Sequence, residues 1–230
     1  VSSRRQRQMC IRDRSTTNCS VSISNKGNLI LENEINDGNY THSTKLHSLI
    51  SNLIEKSKIS LSKISAIAIS KGPGSYTGLR IGTAAAKGLC YALDIPLIAI
   101  STLKILANKL KVQNGLIVPV MDARRDEVYS AVFDSKLNII KKPKPEIIYN
   151  NSFLDIAKKG KIYLVGSGQE KCKRIINENP NLVYSEDKIF PSSLEMIDLS
   201  HDMFLDLNFE DIAYFKPDYL KDFQTNKLNR

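Results

Sequence analysis

The chain has no tryptophan, three histidines, four cysteines and no apolar run approaching the ~20 residues that a membrane-spanning helix needs. Each shortage removes a class of function. Cys10, Cys19, Cys90 and Cys172 stand apart without a CxxC pair, so neither a zinc ribbon nor a disulfide framework can be read from them; they read as reduced, mostly packed thiols. His42 and His47 are five residues apart, about 140° around a helix, and cannot share one metal on a continuous helix. His201 is isolated and reads as solvated, and no HExxH motif supplies another metal site. No serine, histidine and acid arrangement of the hydrolase type is evident. The first 20 residues hold no apolar segment of the secretory kind, so the cytoplasm is the expected location and no membrane association is read.

What remains is an ordinary globular composition, 42% hydrophobic and 25% charged over 230 residues, enough for one large domain or two small ones. The net charge is +9, but it is unevenly placed. Residues 1–14 hold Arg4, Arg5, Arg7, Arg12 and Arg14 against Asp13 alone, which is five of the ten arginines; elsewhere the basic residue is almost always lysine. The abrupt change reads as a non-native leader, with a basic arm for RNA or membrane as the other reading. The excess left on the remainder is mild and is compatible with incidental attraction to tRNA.

Two rounds of similar pattern follow. Val21 and Ile23 alternate with Ser20, Ser22 and Ser24 as in a half-buried strand. Asn25-Lys26-Gly27-Asn28 is a hairpin turn, and Leu29 to Glu32 the returning strand. Leu46, Leu49, Ile50, Leu53 and Ile54 recur at helical spacing, with Thr41 or Ser43 placed to cap. Ser65 to Ser70 is an interior strand, Thr77 to Leu93 a helix, Pro96 to Ile100 a strand, and Ser101 or Thr102 caps the next helix. The second round gives strands at Leu116–Met121 and Glu127–Phe133 around a turn at Asp122–Asp126. Further strands are expected near Ile139, near Ile147 and at Lys161–Val165, then Gly166-Ser167-Gly168. Helices are expected between those strands and after Pro191. This order predicts an α/β protein of two directly packed lobes, residues 15–105 and 106–230.

Gly72, Gly74, Gly78 and Gly82 fall within eleven residues between a predicted strand and a helix. A phosphate cradle is one reading, but the spacing fits neither GxxxxGK[ST] nor GxGxxG, and Pro73 removes a donor. The structural reading makes Pro73-Gly74 a turn, Ser75 or Thr77 a helix cap, and Gly78, Gly82 and Ala86, with Ala85 and Gly88 beside them, a stripe of small residues. Glycine inside a helix costs up to about 1 kcal/mol relative to alanine, so close approach of another element must offset it. That element lies either within the same lobe or on another subunit. Asp122 and Asp126 resemble an acid/base pair but are expected to form local ion pairs with Arg124 and Arg125. Gly166-Ser167-Gly168 reads as a strand-to-helix turn rather than a phosphate cradle.

Lys71 to Gly82, KGPGSYTGLRIG, resembles the GPGS[FY]TG[LV]RIG motif of the TsaB family. Ser15 to Val21, His42 with its helix, Pro96 to Leu106, Asp122-Ala123-Arg124 with Glu127-Val128-Tyr129, and Tyr214 to Lys221 are similar to other parts of that family, over roughly residues 15–224. The resemblance implies a degenerate two-lobed actin-like (ribonuclease-H-like) ATPase fold. It also implies a non-catalytic subunit that pairs with the catalytic TsaD subunit, is joined by the ATPase TsaE, and forms a homodimer as the other pairing. The complex would add threonylcarbamoyl to N6 of adenosine 37 in tRNAs reading codons that begin with A. It implies no cofactor on this chain, with ATP and metal on the partner subunits. Pairing would use a helix bundle of His42, Leu46, Leu49, Ile50, Leu53, Gly78, Arg80, Gly82, Ala85 and Ala86. Gly72, Pro73, Gly74, Ser75, Thr77, Asp122 and Arg124 would be motif residues of structural purpose. On this basis Gly82→Leu is expected to abolish pairing and leave the monomer folded. The family opens with an apolar strand, whereas MCIRDR stands here, so the innermost strand is expected to be missing or poorly imitated. An independent ATP-dependent kinase or transferase of the same fold is the alternative.

Overall fold

Strict alternation along the strands sets the layers of the molecule. In β2 (Asn18–Asn25) Cys19, Val21 and Ile23 face one side and Ser20, Ser22 and Ser24 the other, and both sets are buried. A strand covered on one face only was expected; here a second layer covers the serines. The computed structural model describes residues 7–12, 18–36, 45–185 and 190–221.

The first sheet contains β1 (Arg7–Arg12), β2, β3 (Asn28–Asn36), β4 (Ile64–Gly72) and β5 (Leu97–Ser101) in the order β3-β2-β1-β4-β5. The innermost strand is therefore present and comes from residues 7–12, antiparallel to β2 and parallel to β4. Backbone pairing is what a central strand must supply, and RQMCIR supplies it along its whole length in spite of its arginines.

The second sheet contains β6 (Leu116–Asp122), β7 (Glu127–Asp134), β8 (Ile139–Ile147), β9 (Ile162–Val165) and β10 (Leu182–Tyr184) in the order β10-β9-β6-β7-β8. Both sheets obey one rule. Three antiparallel strands are followed by a fourth parallel to the first and a fifth parallel to the fourth. The two strands expected near Ile139 and Ile147 are one, which crosses Pro143 and Pro145 because β8 is an edge strand with no outer neighbour to need their N–H groups.

Helices α1 (Lys45–Ser57) and α2 (Tyr76–Leu93) cover one face of the first sheet. Ser75 caps α2, its Oγ accepting from the Gly78 N–H at 3.3 Å, and Asp94 closes the helix in the left-handed conformation. The residues proposed to cap α1, Thr41 and Ser43, lie outside the described residues. Helix α3 (Thr102–Asn108) starts after Ser101 without a side-chain cap. It stands between the sheets: Ile105 packs with Ala66, Ala68, Ile98 and Ile100 of the first, and Leu103, Leu106 and Ala107 pack with Ile117, Met121, Phe133 and Val165 of the second. Helices α4 (Leu154–Ala157) and α5 (Gln169–Ile175) cover the far face of the second sheet.

After β10 the chain returns. Helix α6 (Ile197–Leu205) packs through Ile197 on Ala66, Ala68, Ile98 and Ile100, and Phe215 enters the core beneath α1 and α2. Residues 190–219, grouped by sequence with the second lobe, thus complete the first. Helix α3 is shared by the two sheets, while α6, from the second half of the sequence, packs on the first sheet.

Candidate functional site

The glycine stretch lies at the end of β4, under a strap formed by residues 210–221. Gly72 has φ +114°, and a Cβ there would stand 2.6 Å from the Asp218 carbonyl oxygen, so glycine is required twice over, by conformation and by space. The Asp218 N–H donates to the Lys71 carbonyl at 2.7 Å, and the two side chains pair at 3.6 Å. Tyr219 packs on Tyr76 at 4.7 Å between ring centroids, and the Arg80 guanidinium lies 5.4 Å over Tyr76 on its way to solvent. Lys87 donates to the carbonyls of Ala213 (3.2 Å) and Phe215 (3.3 Å). A ligand cradle would leave backbone donors open at the turn; here the chain's own strap occupies the space above Gly72.

The residues expected to form the partner bundle divide sharply. Leu46, Leu49, Ile50 and Leu53 of α1 are buried in the chain's own core, as are Gly78, Gly82 and Ala86 of α2. The small-residue stripe therefore lies on the buried side of α2, a helix packed chiefly on β4. Arg80 is exposed and Ala85 half-buried, and His42 lies outside the described residues. The outer face of α2 is a different row: Thr77, Arg80, Ala84, Gly88 and Tyr91, the last 85% exposed. A Cβ added at Gly88 would meet nothing within 4 Å. His201 is not isolated; its ring edge packs on Gly27 in the β2–β3 turn, where an added Cβ would lie 3.2 Å away.

In the second lobe, Arg124 and Arg125 both take left-handed conformations (φ 69° and 48°) at the β6–β7 turn. Two successive positive φ values match the right-handed twist of the hairpin but are costly for residues other than glycine, asparagine or aspartate. The turn is held by Asp122, whose Oδ1 accepts from the Arg124 N–H (2.7 Å) and from Lys171 Nζ (3.2 Å). Lys171 is 9% exposed and also donates to the Glu127 carbonyl at 2.9 Å. The ion pair of Asp122 is thus with Lys171, distant in sequence, while Arg124 contributes a backbone donor; the arginine pairing expected from sequence is replaced. Gly166 (φ +123°) lies on the Val120 carbonyl with Leu106 Cδ2 2.5 Å from any added Cβ, and Ser167 Oγ accepts from the Asp122 N–H at 3.1 Å. These contacts explain Gly166 and Ser167 by packing against β6. No group of three metal-ligating side chains occurs among the described residues.

A polar seam joins the serine face of β2 to the returning chain. The Ser193 N–H donates to Ser20 Oγ (2.8 Å), Ser22 Oγ donates to the Ser193 carbonyl (3.3 Å), and Asn18 Nδ2 donates to the Pro191 carbonyl (3.2 Å). Ser192 and Ser193 hydroxyls both donate to Glu32 Oε1 at 3.2 Å. Burial pushes the Glu32 carboxyl above its ordinary range, helped by Glu34 and opposed by those two hydroxyls. Glu195 pairs with Lys109 at 3.2 Å and receives the Ser192 N–H at 2.8 Å. Sequence reasoning missed this seam; the unusual run of serines at alternate positions of β2 was the available signal.

Comparison with known proteins gives one consistent picture. The family model described as "TsaD: tRNA N6-adenosine threonylcarbamoyltransferase" matches residues 32–222. The tRNA threonylcarbamoyladenosine biosynthesis protein TsaB of Buchnera aphidicola subsp. Schizaphis graminum is 32% identical over 192 residues, 80% of this chain and 89% of that one. The protein of the same name from Bacillus subtilis is 38% identical over 105 residues, 46% of each chain. Among solved structures, an uncharacterized protein from Pseudomonas aeruginosa with similarity to peptidase YEAZ superposes with a TM-score of 0.81 at 23% identity, over 94% of this chain and 100% of that one. The fold is the two-lobed, actin-like α/β architecture.

Proposed function

The chain belongs to the TsaB family, and from that membership we propose that it serves threonylcarbamoyladenosine biosynthesis in tRNA as a non-catalytic partner subunit. It pairs with TsaD, is joined by TsaE, and reaches tRNA through that complex, which modifies N6 of adenosine 37 in tRNAs reading codons that begin with A. ATP and metal belong to the partner subunits, and the place of action is the cytoplasm. The observation that carries this reading is the match along 192 residues to a protein named for that biosynthesis. The burial of Gly72 beneath the strap and the packing of Gly166 against β6 support a scaffold reading, since these glycines are accounted for without a ligand.

The docking face for TsaD is the outer row of α2: Thr77, Arg80, Ala84, Gly88 and Tyr91, with Ala85 beside it. Small side chains let a second helix approach closely, and the exposed Tyr91 ring offers a large apolar anchor with a polar tip. The inward stripe serves the lobe itself and is no part of this face.

Affinity co-purification with TsaD tests the reading. Wild-type chain is expected to retain TsaD. Gly88→Leu and Tyr91→Ala are expected to lose retention while keeping a native circular dichroism spectrum, and Lys142→Ala on β8 should behave as wild type. Retention unchanged in both α2 variants would remove the docking face. Tight ATP binding with turnover by the isolated chain would replace the whole reading by an independent kinase or transferase.

A further inference from the structure

The strap touches the glycine turn and the β6–β7 turn together. It begins on the open edge of β5, where the Glu210 N–H donates to the Leu97 carbonyl at 2.8 Å. It is pinned by Phe215 in the core and by Lys87 on the carbonyls of Ala213 and Phe215. It then crosses Gly72 through Asp218 and stacks Tyr219 on Tyr76. At its far end it reaches the second lobe: Lys221 pairs with Glu127, its Nζ donates to the Ala123 carbonyl at 3.4 Å, and it lies 5.7 Å over the Tyr129 ring.

We propose that residues 210–221 form an inter-lobe latch, closed by Lys221 on the β6–β7 turn, that couples the orientation of the second lobe to the order of the glycine turn. The physical case rests on unequal strength at its two ends. The first-lobe end is held by a buried aromatic ring and several backbone hydrogen bonds. The second-lobe end is a partly exposed ion pair, side chains 31% and 33% exposed, with one long hydrogen bond. Exposed pairs of this kind contribute little and are lost readily, so the contact suits release rather than permanent closure. The receiving turn is itself conformationally costly, with two arginines in left-handed geometry. The lobes stay joined through α3, which packs on both sheets whether the latch is open or closed. Release therefore frees rotation about that joint without separating the lobes.

Hydrogen exchange of the full chain, followed by mass spectrometry, tests this. Lys221→Ala removes side-chain contacts to the second lobe only. The latch requires amides on both sides to exchange faster by about two- to fivefold, the scale of one exposed ion pair. The reporters are the Asp218 amide bonded to Lys71 in the first lobe and the Ala123 and Glu127 amides in the second. Glu127→Gln should reproduce the effect, and the exchanged pair Lys221→Glu with Glu127→Lys should restore wild-type rates. Helix α1 and strand β8 serve as internal references and should not change. Faster exchange confined to residues 123–129, or no recovery in the exchanged pair, would reduce the contact to a local ion pair and overturn the latch.

Discussion

Two glycines on different faces of α2, about 120° apart around it, give the sharpest test of which way that helix faces. Gly88 is exposed, and an added Cβ meets nothing within 4 Å. Glycine in a helix interior costs about 0.8–1.0 kcal/mol relative to alanine, and with no contact to disturb, Gly88→Ala should recover most of that. In a chain of this size such a gain raises Tm by about 2–4 °C. Gly82, on the same helix, is buried. Gly82→Leu gains a similar amount in propensity, but its four added carbons must enter a packed layer at a cost of about 1–3 kcal/mol or more. The net is a loss of stability, in contrast to the folded, pairing-deficient variant expected when the stripe is taken to face a partner. Urea denaturation followed by circular dichroism compares the midpoints at unchanged slope, with TsaD co-purification run in parallel. A Gly82→Leu protein as stable as wild type but unable to retain TsaD would refute the inward assignment of the stripe. A destabilised Gly88→Ala protein would refute the outward one.

Further outcomes follow from other contacts. Gly166→Ala should destabilise the second lobe by about 2 kcal/mol or more, seen as a lower urea midpoint, since both its φ and its space exclude a side chain. Thr102 is fully buried with no partner for its hydroxyl among the described residues, so Thr102→Val should be neutral or stabilising in the same assay. The Glu32 carboxyl is pushed up on folding, so its contribution favours the fold below the ordinary glutamate range and is lost as pH rises through the raised value. Glu32→Gln should therefore be at least as stable as wild type at neutral pH, with that advantage shrinking in acid; an advantage that grows in acid would contradict the sign. Burial pushes the thiols of Cys90 and Cys172 up to about 12, so both should resist iodoacetamide at pH 8 until the chain is unfolded, as read by peptide mass mapping.

Much of the fold was legible because its signals are local. The β2–β3 hairpin, the span of α2, the Ser75 cap and the repetition of a strand-helix order in the second half all follow from periodicity and turn chemistry. What escaped depended on partners far along the chain. The serines of β2 look solvent-facing until residues 191–193 cover them, 173 positions from Ser20. Arg7 to Arg12 look foreign to a sheet interior, yet backbone pairing with β2 and β4 needs no particular side chain. The glycine stripe illustrates the limit at the site itself. Four-residue spacing establishes that one helix face is smooth, but the face is the same whether a sheet or a partner lies against it, and only the packing decides. The P-x-Y-L-K run was recognisable as a motif, while its task, lying over Gly72 and reaching to Glu127, required the structure.

The return of residues 190–215 to the first sheet has a consequence for how the chain is made. Segments 7–101 supply a complete first sheet early in synthesis, but the cover for its serine face and the ring that seals its core arrive only with residues 191–215. A nascent chain emerging from the ribosome would carry that sheet half-clothed until residues 191–215 are added, with Ala66, Ala68, Ile98 and Ile100 awaiting α6. The first sheet thus matures only when a segment about ninety residues beyond its last strand folds back on it.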